Sequence, residues 1–195
     1  MWGNPTVIKE SRFNYYHLKW GVNIHIQDYR YSTNRLSVCE WHSIFSDDSH
    51  PASLENIVIN ILTPKVTQSL PPHWQGAYSL ERARKWIKER DEEGVTLIVI
   101  EQSTQTAIGF VIFLENANSK DLRLGYLLAE SAWGKGYASE LIRGFVEWCK
   151  NNGIASVTGG FERDNVASRR VLEKNGFACE ADTNEGTEQM FVLRI

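Results

Sequence analysis

Two adjoining segments decide the fold of this chain: Leu122-Arg-Leu-Gly-Tyr-Leu-Leu-Ala129 and Glu130-Ser-Ala-Trp-Gly-Lys-Gly-Tyr-Ala138. The first segment is short and rich in Leu and Tyr, which predicts a strand. The second contains two glycines near its end and predicts a tight turn, because glycine tolerates positive φ. The residues from Ser139 to Lys150 then place apolar side chains at helical spacing and predict a helix.

A strand, a glycine turn and a helix in this order can bind a phosphate. The first amides of a helix have no intrahelical acceptor, and the macrodipole adds partial positive charge there. Two nucleotide-binding motifs do not fit. A P-loop continues with Gly-Lys-(Ser/Thr), whereas Gly134-Lys135 is followed by Gly136. A dinucleotide fingerprint needs a third glycine where this chain has Ser139, and no clear ribose-binding acid follows a second strand.

Two motifs carry a resemblance to a known family. The segment Trp133-Gly-Lys-Gly-Tyr-Ala138 resembles the acetyl-coenzyme A pyrophosphate loop of the GNAT superfamily of N-acetyltransferases, (Arg/Gln)-x-x-Gly-x-(Gly/Ala), with Trp133 at the Arg/Gln position. The segment from Asn165 to Phe177 resembles N-x-x-S-x-R-x-L-E-K-x-G-F of the ribosomal-protein N-acetyltransferase-like branch. The segment from Ser32 to Glu40 is similar to the T-x-R-L opening strand of that branch.

The resemblance implies the α+β fold of the GNAT acyl-CoA N-acyltransferases. That fold is a twisted, mixed and mostly antiparallel sheet with helices on both faces, whose parallel fourth and fifth strands splay apart. The residues themselves predict an antiparallel meander over 95–129, followed by a helix and a parallel strand over 154–161. We expect one domain over 32–195, and an N-terminal extension over 1–31 that adds a strand or hairpin or serves as a dimer arm.

The first half of the domain contains the remaining predicted elements. An amphipathic helix is expected over Ser53–Leu62, and a loop over Val66–Tyr78. A second helix follows over Leu80–Arg90, with Ser79 as its N-cap and with its Arg and Lys residues on a solvated face.

In the resembled family the pantetheine arm of acetyl-CoA lies between the splayed strands. This implies backbone contacts from three residues at the strand end, namely Leu127, Leu128 and Ala129. The pyrophosphate would lie on the amides of the glycine turn, namely Trp133, Gly134, Lys135, Gly136, Tyr137, Ala138 and Ser139. The side chain of Lys135 either adds charge there or is simply solvated. Asn165 and Ser168 would lie beside the pantetheine and the thiol. The alternative for Asn165 is a plain helix cap, and the alternative for Ser168 is a small exposed residue of the helix.

The resemblance also suggests which residues could act as the acid and the base of the reaction. Many family members protonate the departing thiolate with a Tyr in the final helix, where this chain has Leu172, so the Ser168 hydroxyl is the replacement candidate. An amine must lose a proton to attack a thioester. The branch often has an acidic residue for this in the strand before the Gly-Tyr pair, where this chain has Arg123. Glu115 and Glu162 remain as candidate bases, and each is alternatively a surface carboxylate.

The resemblance implies a cytoplasmic N-acetyltransferase that uses acetyl-CoA and no metal. The acceptor would be a peptide or protein N-terminus, or a small amine such as a polyamine or aminoglycoside. Trp74 and Tyr78 in the predicted loop either line the acceptor pocket or pack the loop onto the domain. Two alternatives stay open: transfer of another acyl group such as succinyl, and a catalytically silent acetyl-CoA-binding sensor or complex subunit.

Composition is consistent with this prediction. The chain has 195 residues, of which 42% are hydrophobic and 23% are charged, as in a soluble globular domain. The net charge of -3 argues against a nucleic-acid-binding surface. The sequence contains no apolar run of the roughly 20 residues that span a membrane. The three cysteines show no metal-ligand spacing and predict buried, reduced thiols. His17 and His25 lack a third ligand, and a homodimer through the aromatic N-terminal segment is a further hypothesis.

Overall fold

The computed structural model describes residues 28–45, 53–115, 120–180 and 188–195. Eight strands of this part form one sheet: β1 Tyr31–Ser32, β2 Leu36–Glu40, β3 Val95–Glu101, β4 Thr106–Glu115, β5 Asp121–Leu128, β6 Ser156–Glu162, β7 Ala178–Cys179 and β8 Glu188–Arg194. Five helices within the same described residues accompany it: α1 Leu54–Ile61, α2 Pro64–Thr67, α3 Leu80–Glu93, α4 Tyr137–Asn151 and α5 Val166–Lys174. Single turns of 3-10 helix cover Trp41–Phe45, Pro72–Trp74 and Glu130–Ala132.

The sheet confirms the predicted topology. Its strand order is β1-β2-β3-β4-β5-β6-β8-β7, and β5 and β6 form its parallel pair within the described residues. That pairing runs from Asp121 with Ser156 to Leu124 with Gly159 and then stops, although β5 continues to Leu128. The antiparallel pairing of β5 with β4 continues to the end of β5. The two parallel strands therefore part, and we call the space beyond Leu124 and Gly159 the strand gap.

Alternating side chains of the central strands build a core on each face of the sheet, as expected for a strand period of two. One face of β3 and β4, with Leu97 and Phe113, packs against α4, where Phe113 and Phe145 lie 5.7 Å apart between ring centroids. The other face, with Ile98 and Phe110, packs against α1 and α3. Fully burying such a side chain contributes about 1.5–3 kcal/mol, so both helical layers are held mainly by apolar burial.

Several local predictions are confirmed by hydrogen bonds. Ser79 and Asn165 each cap a helix, because their side-chain oxygens accept a bond from a backbone amide of the first turn. Ser53, predicted as the first helical residue, is instead the N-cap of α1, which begins at Leu54. Gly153 follows α4 with φ of 68° and Gly176 follows α5 with φ of 87°, the left-handed conformation in which helices commonly end.

The helix after the glycine turn begins earlier than predicted. The expected start was Ser139, but α4 begins at Tyr137, with Gly136 in the left-handed conformation at its N-cap. The reason is tertiary: the Tyr137 side chain is buried in the core, which makes this residue part of the first helical turn. The predicted loop over Val66–Tyr78 also needs correction, because α2 enters it and the Thr63 side chain caps this helix ahead of Pro64.

Three predictions about burial were wrong in whole or in part. The Arg and Lys residues of α3 do not all face solvent, since Arg90 is buried, stacks 4.3 Å from the Trp74 ring centroid and pairs with Glu93 at 2.7 Å. The helical spacing of Leu80 with Ala83, Trp86 and Ile87 predicts that all four share an apolar face, but Leu80 is exposed. The cysteines were all predicted to be buried, but only Cys149 is buried, whereas Cys39 is half-buried and Cys179 is exposed.

The first described residues pack onto the domain. The Tyr29 ring lies 5.9 Å from Phe113 and 6.2 Å from Trp148, and the Trp148 indole donates a 3.1 Å hydrogen bond to the Asp28 carbonyl. The predicted N-terminal extension covers residues 1–31, of which residues 1–27 lie outside the described residues. The boundary at residue 32 and the dimer role of the extension therefore stay predictions. None of the described helices is long and apolar enough to cross a membrane.

Candidate active site

The glycine loop, defined here as Trp133–Gly136, connects β5 to α4 next to the strand gap. Gly134 has φ of 72° and Gly136 has φ of 80°, so both positions favour glycine. A Cβ built on Gly134 would meet nothing within 4 Å, which places open space above the loop. Gly136 has no side chain that could accept hydrogen bonds from the first backbone amides of α4. These N–H donors therefore remain available to an anion.

The side chain of Arg35 holds the glycine loop in position. The Arg35 guanidinium donates a 3.1 Å hydrogen bond from Nη1 to the Lys135 carbonyl and lies 4.2 Å above the Tyr137 ring. Its Nε donates at 2.7 Å to Glu140 in the first turn of α4, and Thr33 Oγ1 donates to the same carboxylate at 2.7 Å. Arg35 therefore ties the strand edge, the loop and the helix together.

The charge of Glu140 is stabilised in this arrangement. Burial alone would raise the pKa of Glu140, but hydrogen bonds from Thr33 and Arg35 outweigh it, and the net pKa lies below the usual value. An ionised Glu140 keeps the Arg35 guanidinium directed at the loop, and its charge at the helix N-terminus is favourable to the macrodipole.

The side chains of Trp133 and Tyr137 both make hydrogen bonds within the protein. The Tyr137 hydroxyl donates to the Glu101 carboxylate, and its ring is buried, which leaves the backbone amide as its contribution to a ligand site. The Trp133 indole donates a 2.8 Å hydrogen bond to the Leu128 carbonyl, and its ring remains 43% exposed. Trp133 thus closes the loop onto the end of β5.

The three predicted strand-end residues differ in whether their backbone groups already pair with β4. Leu127 and Leu128 are buried and pair with Phe110 and Gly109 of β4. The Ala129 amide already donates a 2.8 Å hydrogen bond to the Ile108 carbonyl. Because successive residues of a strand direct their backbone groups to opposite sides, Leu128 directs its own amide away from β4 and towards the strand gap.

The predicted thiol-side residues lie on the first turn of α5. Asn165 Oδ1 accepts a 3.0 Å hydrogen bond from the Ser168 amide, so its carbonyl oxygen has the capping role that was the alternative for this residue. Ser168 is half-buried, and Leu172, one turn further, is buried against Gly159 at the point where the parallel pairing stops. These residues therefore flank the strand gap.

The structure describes the side chain of one candidate base, Glu162, but not that of the other, Glu115. Glu162 ends β6, is half-buried, and its carbonyl accepts a 2.8 Å hydrogen bond from the Asn165 amide, so it lies at the gap end of the sheet. Glu115 ends β4, pairs with Leu122 in register, and has a side chain outside the described part of the structure. The roles of both carboxylates stay predictions.

The two candidate acceptor-pocket residues are engaged in packing. The Tyr78 hydroxyl donates a 3.1 Å hydrogen bond to the Trp74 carbonyl, and Arg82 stacks 4.2 Å from the Tyr78 ring centroid. The Trp74 ring meets Trp86 edge-on at 5.5 Å. These contacts hold the loop onto α3, which was the alternative for these residues, and a role in acceptor binding stays a prediction.

Two residues of the site were not identified from the sequence. Arg35 was only part of the opening-strand motif, and no local pattern connects it with Glu140. Tyr126 is the second: its hydroxyl is buried and makes no well-formed hydrogen bond within the described residues. A Tyr in a strand ordinarily indicates packing, and only the position of its hydroxyl distinguishes this one. No group of three His, Cys, Asp or Glu side chains that could hold a metal occurs among the described residues.

The glycine loop, the free helix amides and the strand gap are the features of an acyl-CoA-dependent acyltransferase. The family model described as acetyltransferase (GNAT) domain matches residues 49–178, about two thirds of the chain, and the chain belongs to that family of enzymes. The fold is shared with solved structures of low sequence identity.

Three of these structures are informative. An acetyltransferase (GNAT family) from Bacillus anthracis has a TM-score of 0.67 and 16% identity, with 85% of this chain and 98% of that chain covered. RimL, a ribosomal L7/L12 alpha-N-protein acetyltransferase in complex with coenzyme A, has a TM-score of 0.62 and 22% identity over 84% of this chain and 96% of its own. Spermidine N-acetyltransferase from Vibrio cholerae, in complex with coenzyme A and spermine, has a TM-score of 0.65 and 13% identity over 82% and 95%.

Proposed function

We propose that this protein is a cytoplasmic N-acetyltransferase that transfers the acetyl group of acetyl-CoA to an amine by direct attack in a ternary complex. The observation that carries the proposal is the open glycine loop at the N-terminus of α4, directly beside the point where β5 and β6 part. The Trp133 amide already donates to the Glu130 carbonyl at 3.1 Å, so the amides that suit a pyrophosphate are those after it, from Gly134 to Ser139. A strand gap suits an extended pantetheine arm, because its backbone can supply hydrogen bonds as another strand would.

In this proposal the backbone of the chain holds the cofactor. The pyrophosphate lies on the amides between Trp133 and Ser139, and Lys135 adds positive charge from the exposed loop. The gap-side amide of Leu128 donates to the pantetheine arm, while the Leu128 carbonyl accepts from the Trp133 indole. Arg35 keeps the loop in place without contacting the cofactor itself, since its donors are engaged by the Lys135 carbonyl and by Glu140.

The chemistry follows from the position of the thioester in the gap. The amine nitrogen attacks the carbonyl carbon, the C–N bond forms and the C–S bond breaks, and the electron pair of that bond moves to sulfur. The attacking nitrogen loses a proton, for which Glu162 at the gap end of β6 and Glu115 at the end of β4 are the candidate bases. Ser168, in the first turn of α5, stands beside the departing sulfur.

The acceptor is an amine of one of two kinds. RimL acts on a protein N-terminus and the Vibrio cholerae enzyme acts on spermidine, so this fold is found with both. We propose that the segment from α2 to α3 faces the acceptor, with Trp74 and Tyr78 at its base. Both rings meet Trp86 edge-on, at 5.5 Å for Trp74 and 6.5 Å for Tyr78, which gives this surface a rigid base.

The test combines binding with turnover. Calorimetric titration with acetyl-CoA is followed by thiol release against N-terminal peptides, polyamines and aminoglycosides, with succinyl-CoA as a second donor. Binding with release on one acceptor class would establish the function and its acceptor. Binding without release on any acceptor would instead favour a catalytically silent acetyl-CoA sensor. Absence of acetyl-CoA binding would overturn the proposal, and release from succinyl-CoA alone would overturn the assignment of the acyl group.

A further inference from the structure

The end of β5 lies closer to β4 at Gly109 than any side chain at that position would allow. Gly109 pairs with Leu128, and a Cβ built on it would lie 2.4 Å from the Leu127 carbonyl oxygen and 2.5 Å from Leu128 Cδ2. Both distances are shorter than a Cβ atom can normally reach. The φ of Gly109 is not positive, so its backbone conformation does not require glycine. A glycine within a strand then indicates the close approach of a second backbone.

A β-bulge in β4 lies directly beside this contact. The register of β4 against β3 shifts by one residue between Ala107 and Gly109, which leaves Ile108 as the extra residue. A bulge bends its strand and increases the local twist. The Ile108 carbonyl also accepts the 2.8 Å hydrogen bond from the Ala129 amide, so contact with β4 continues past the end of β5. The bulge and the glycine therefore draw the end of β5 towards β4.

The opposite side of this end of β5 has no paired strand. Pairing with β6 stops at Leu124, four residues before Leu128, so roughly 13 Å of β5 borders the strand gap. β4, in contrast, remains paired with β3 along this stretch. Because β5 is the strand without a second neighbour, a group inserted between β4 and β5 would displace the end of β5 into the gap.

We propose that Gly109 is a positioning residue that keeps the strand gap open for the pantetheine arm of acetyl-CoA. This inference rests on the proposed function and deepens it. Without a side chain at residue 109, the end of β5 lies against β4 and away from β6, and the Leu128 amide can donate to the arm. A methyl group there would shift the Leu127 carbonyl and the Leu128 amide, narrow the gap and misalign that hydrogen bond.

The effect should be confined to the pantetheine half of the cofactor. The amides proposed for the pyrophosphate belong to the glycine loop and the start of α4, which Arg35 holds through the Lys135 carbonyl and Glu140. None of these contacts involves β4. The Trp133 indole bonds the Leu128 carbonyl through a side chain, which can follow a small shift of the strand. Gly109 therefore acts on the gap and not on the loop.

The test compares two ligands on two matched variants, Gly109→Ala and Gly94→Ala. A Cβ at Gly94 would likewise lie 2.6 Å from a carbonyl oxygen, that of Phe113, and 2.5 Å from a leucine atom, Leu114 Cδ2. Phe113 is four residues from Gly109 along β4, or roughly 13 Å further from the gap. Each protein is titrated calorimetrically with acetyl-CoA and with 3′-phospho-ADP, the nucleotide half of the cofactor without pantetheine.

We expect Gly109→Ala to weaken acetyl-CoA binding roughly tenfold, as for one misaligned hydrogen bond, and to leave 3′-phospho-ADP binding unchanged. Gly94→Ala should change neither affinity, although urea denaturation should show a similar loss of stability in both variants. If Gly109→Ala does not fold, Gly109→Ala/Leu128→Ala replaces it, with Leu128→Ala as its reference. Removal of the Leu128 side chain makes room for the methyl group, while the Leu127 carbonyl is still displaced.

The ligands separate the possible outcomes. A Gly109→Ala protein with the wild-type preference for acetyl-CoA over 3′-phospho-ADP would overturn the role of Gly109 and leave the proposed function intact. The same holds if both ligands are weakened equally, or if Gly94→Ala loses the preference as well, since either result indicates a general disturbance of the fold. Wild-type protein that binds neither ligand would overturn the proposed function together with this inference.

Discussion

Arg35 and Glu140 are 105 positions apart in the chain, yet the Nε and Nη2 atoms of Arg35 both lie 2.7 Å from Oε2 of Glu140. The Arg35 amide also donates to Oε1 of Glu140 at 2.9 Å, so both oxygens of the carboxylate are used. Because Arg35 donates in addition to the Lys135 carbonyl, the ion pair fixes the backbone of the glycine loop. An ion pair at the surface adds little stability alone, and its importance here lies in loop geometry.

Arg35→Ala should weaken acetyl-CoA binding about tenfold, because the Lys135 carbonyl and Glu140 lose their shared donor and the loop amides are no longer preorganised. The turnover number at saturating acetyl-CoA should change little, since Arg35 does not reach the thioester. Arg84→Ala is the matched control, because Arg84 also pairs with a glutamate, Glu55, at 3.2 Å on the surface. Titration and steady-state kinetics check this, and a lowered turnover number with unchanged affinity would contradict it.

The pH dependence of the loop follows from Glu140. Its pKa in the folded protein is below the ordinary value of 4.5, so its contribution to stability is fully present above that value. The contribution is lost as the pH falls through the lower, folded pKa. Glu140→Gln should therefore flatten the acid side of the curve of unfolding free energy against pH, measured by urea denaturation. A wild-type curve and a variant curve that run parallel below pH 4.5 would disprove this.

Gly134→Ala and Gly153→Ala form a matched pair. The two glycines have φ of 72° and 68°, and at neither would a Cβ meet an atom within 4 Å. Each substitution should therefore destabilise the fold similarly, by about 1 kcal/mol, because of the left-handed conformation. Only Gly134→Ala should weaken acetyl-CoA binding, about tenfold, since its methyl group would occupy the open space above the loop. Equal binding by both variants would remove the glycine loop from the site.

Gly144→Ala should destabilise the protein, although alanine favours helices by roughly 1 kcal/mol over glycine. A Cβ at Gly144 of α4 would lie 2.7 Å from Thr33 Cγ2 and 2.9 Å from Tyr31 Cε2, so β1 and the helix would have to separate. We expect a net loss of about 1–3 kcal/mol in thermal or urea unfolding. Arg143→Ala, an exposed neighbour in α4, is the control and should have little effect; a more stable Gly144→Ala protein would refute the close contact.

The cysteines should label in a fixed order. Cys179 is exposed and should react first with an alkylating reagent near pH 8. Burial raises the pKa of Cys39, and raises that of Cys149 to about 12, so the reactive thiolate is scarce at both. Mass spectrometry of peptides over time checks the order. Labelling of Cys149 as fast as Cys179 in folded protein would show that this part of α4 opens to solvent.

The elements that the sequence predicts well are those with local signals. The glycine turn, the capping residues and the parallel pairing of β5 and β6 follow from residues close together in the chain, and the structure confirms their topology. Arg90 shows where local pattern fails: helical period alone placed it among solvated side chains, but the Trp74 ring, distant in sequence, covers it. Arg35 was not identified for the same reason, because its partners Glu140 and the Lys135 carbonyl come from other elements.

The order of the last strands has a consequence for biosynthesis. β8 pairs with all of β6, from Ser156 to Glu162, and β7 joins the sheet through β8. On the ribosome, β6 therefore has one exposed edge until Arg194 has left the exit tunnel, however early the other strands assemble. An exposed edge invites pairing with another chain. The nascent chain thus passes through a stage in which the strand gap is incomplete and an unpaired edge of β6 is open to other chains.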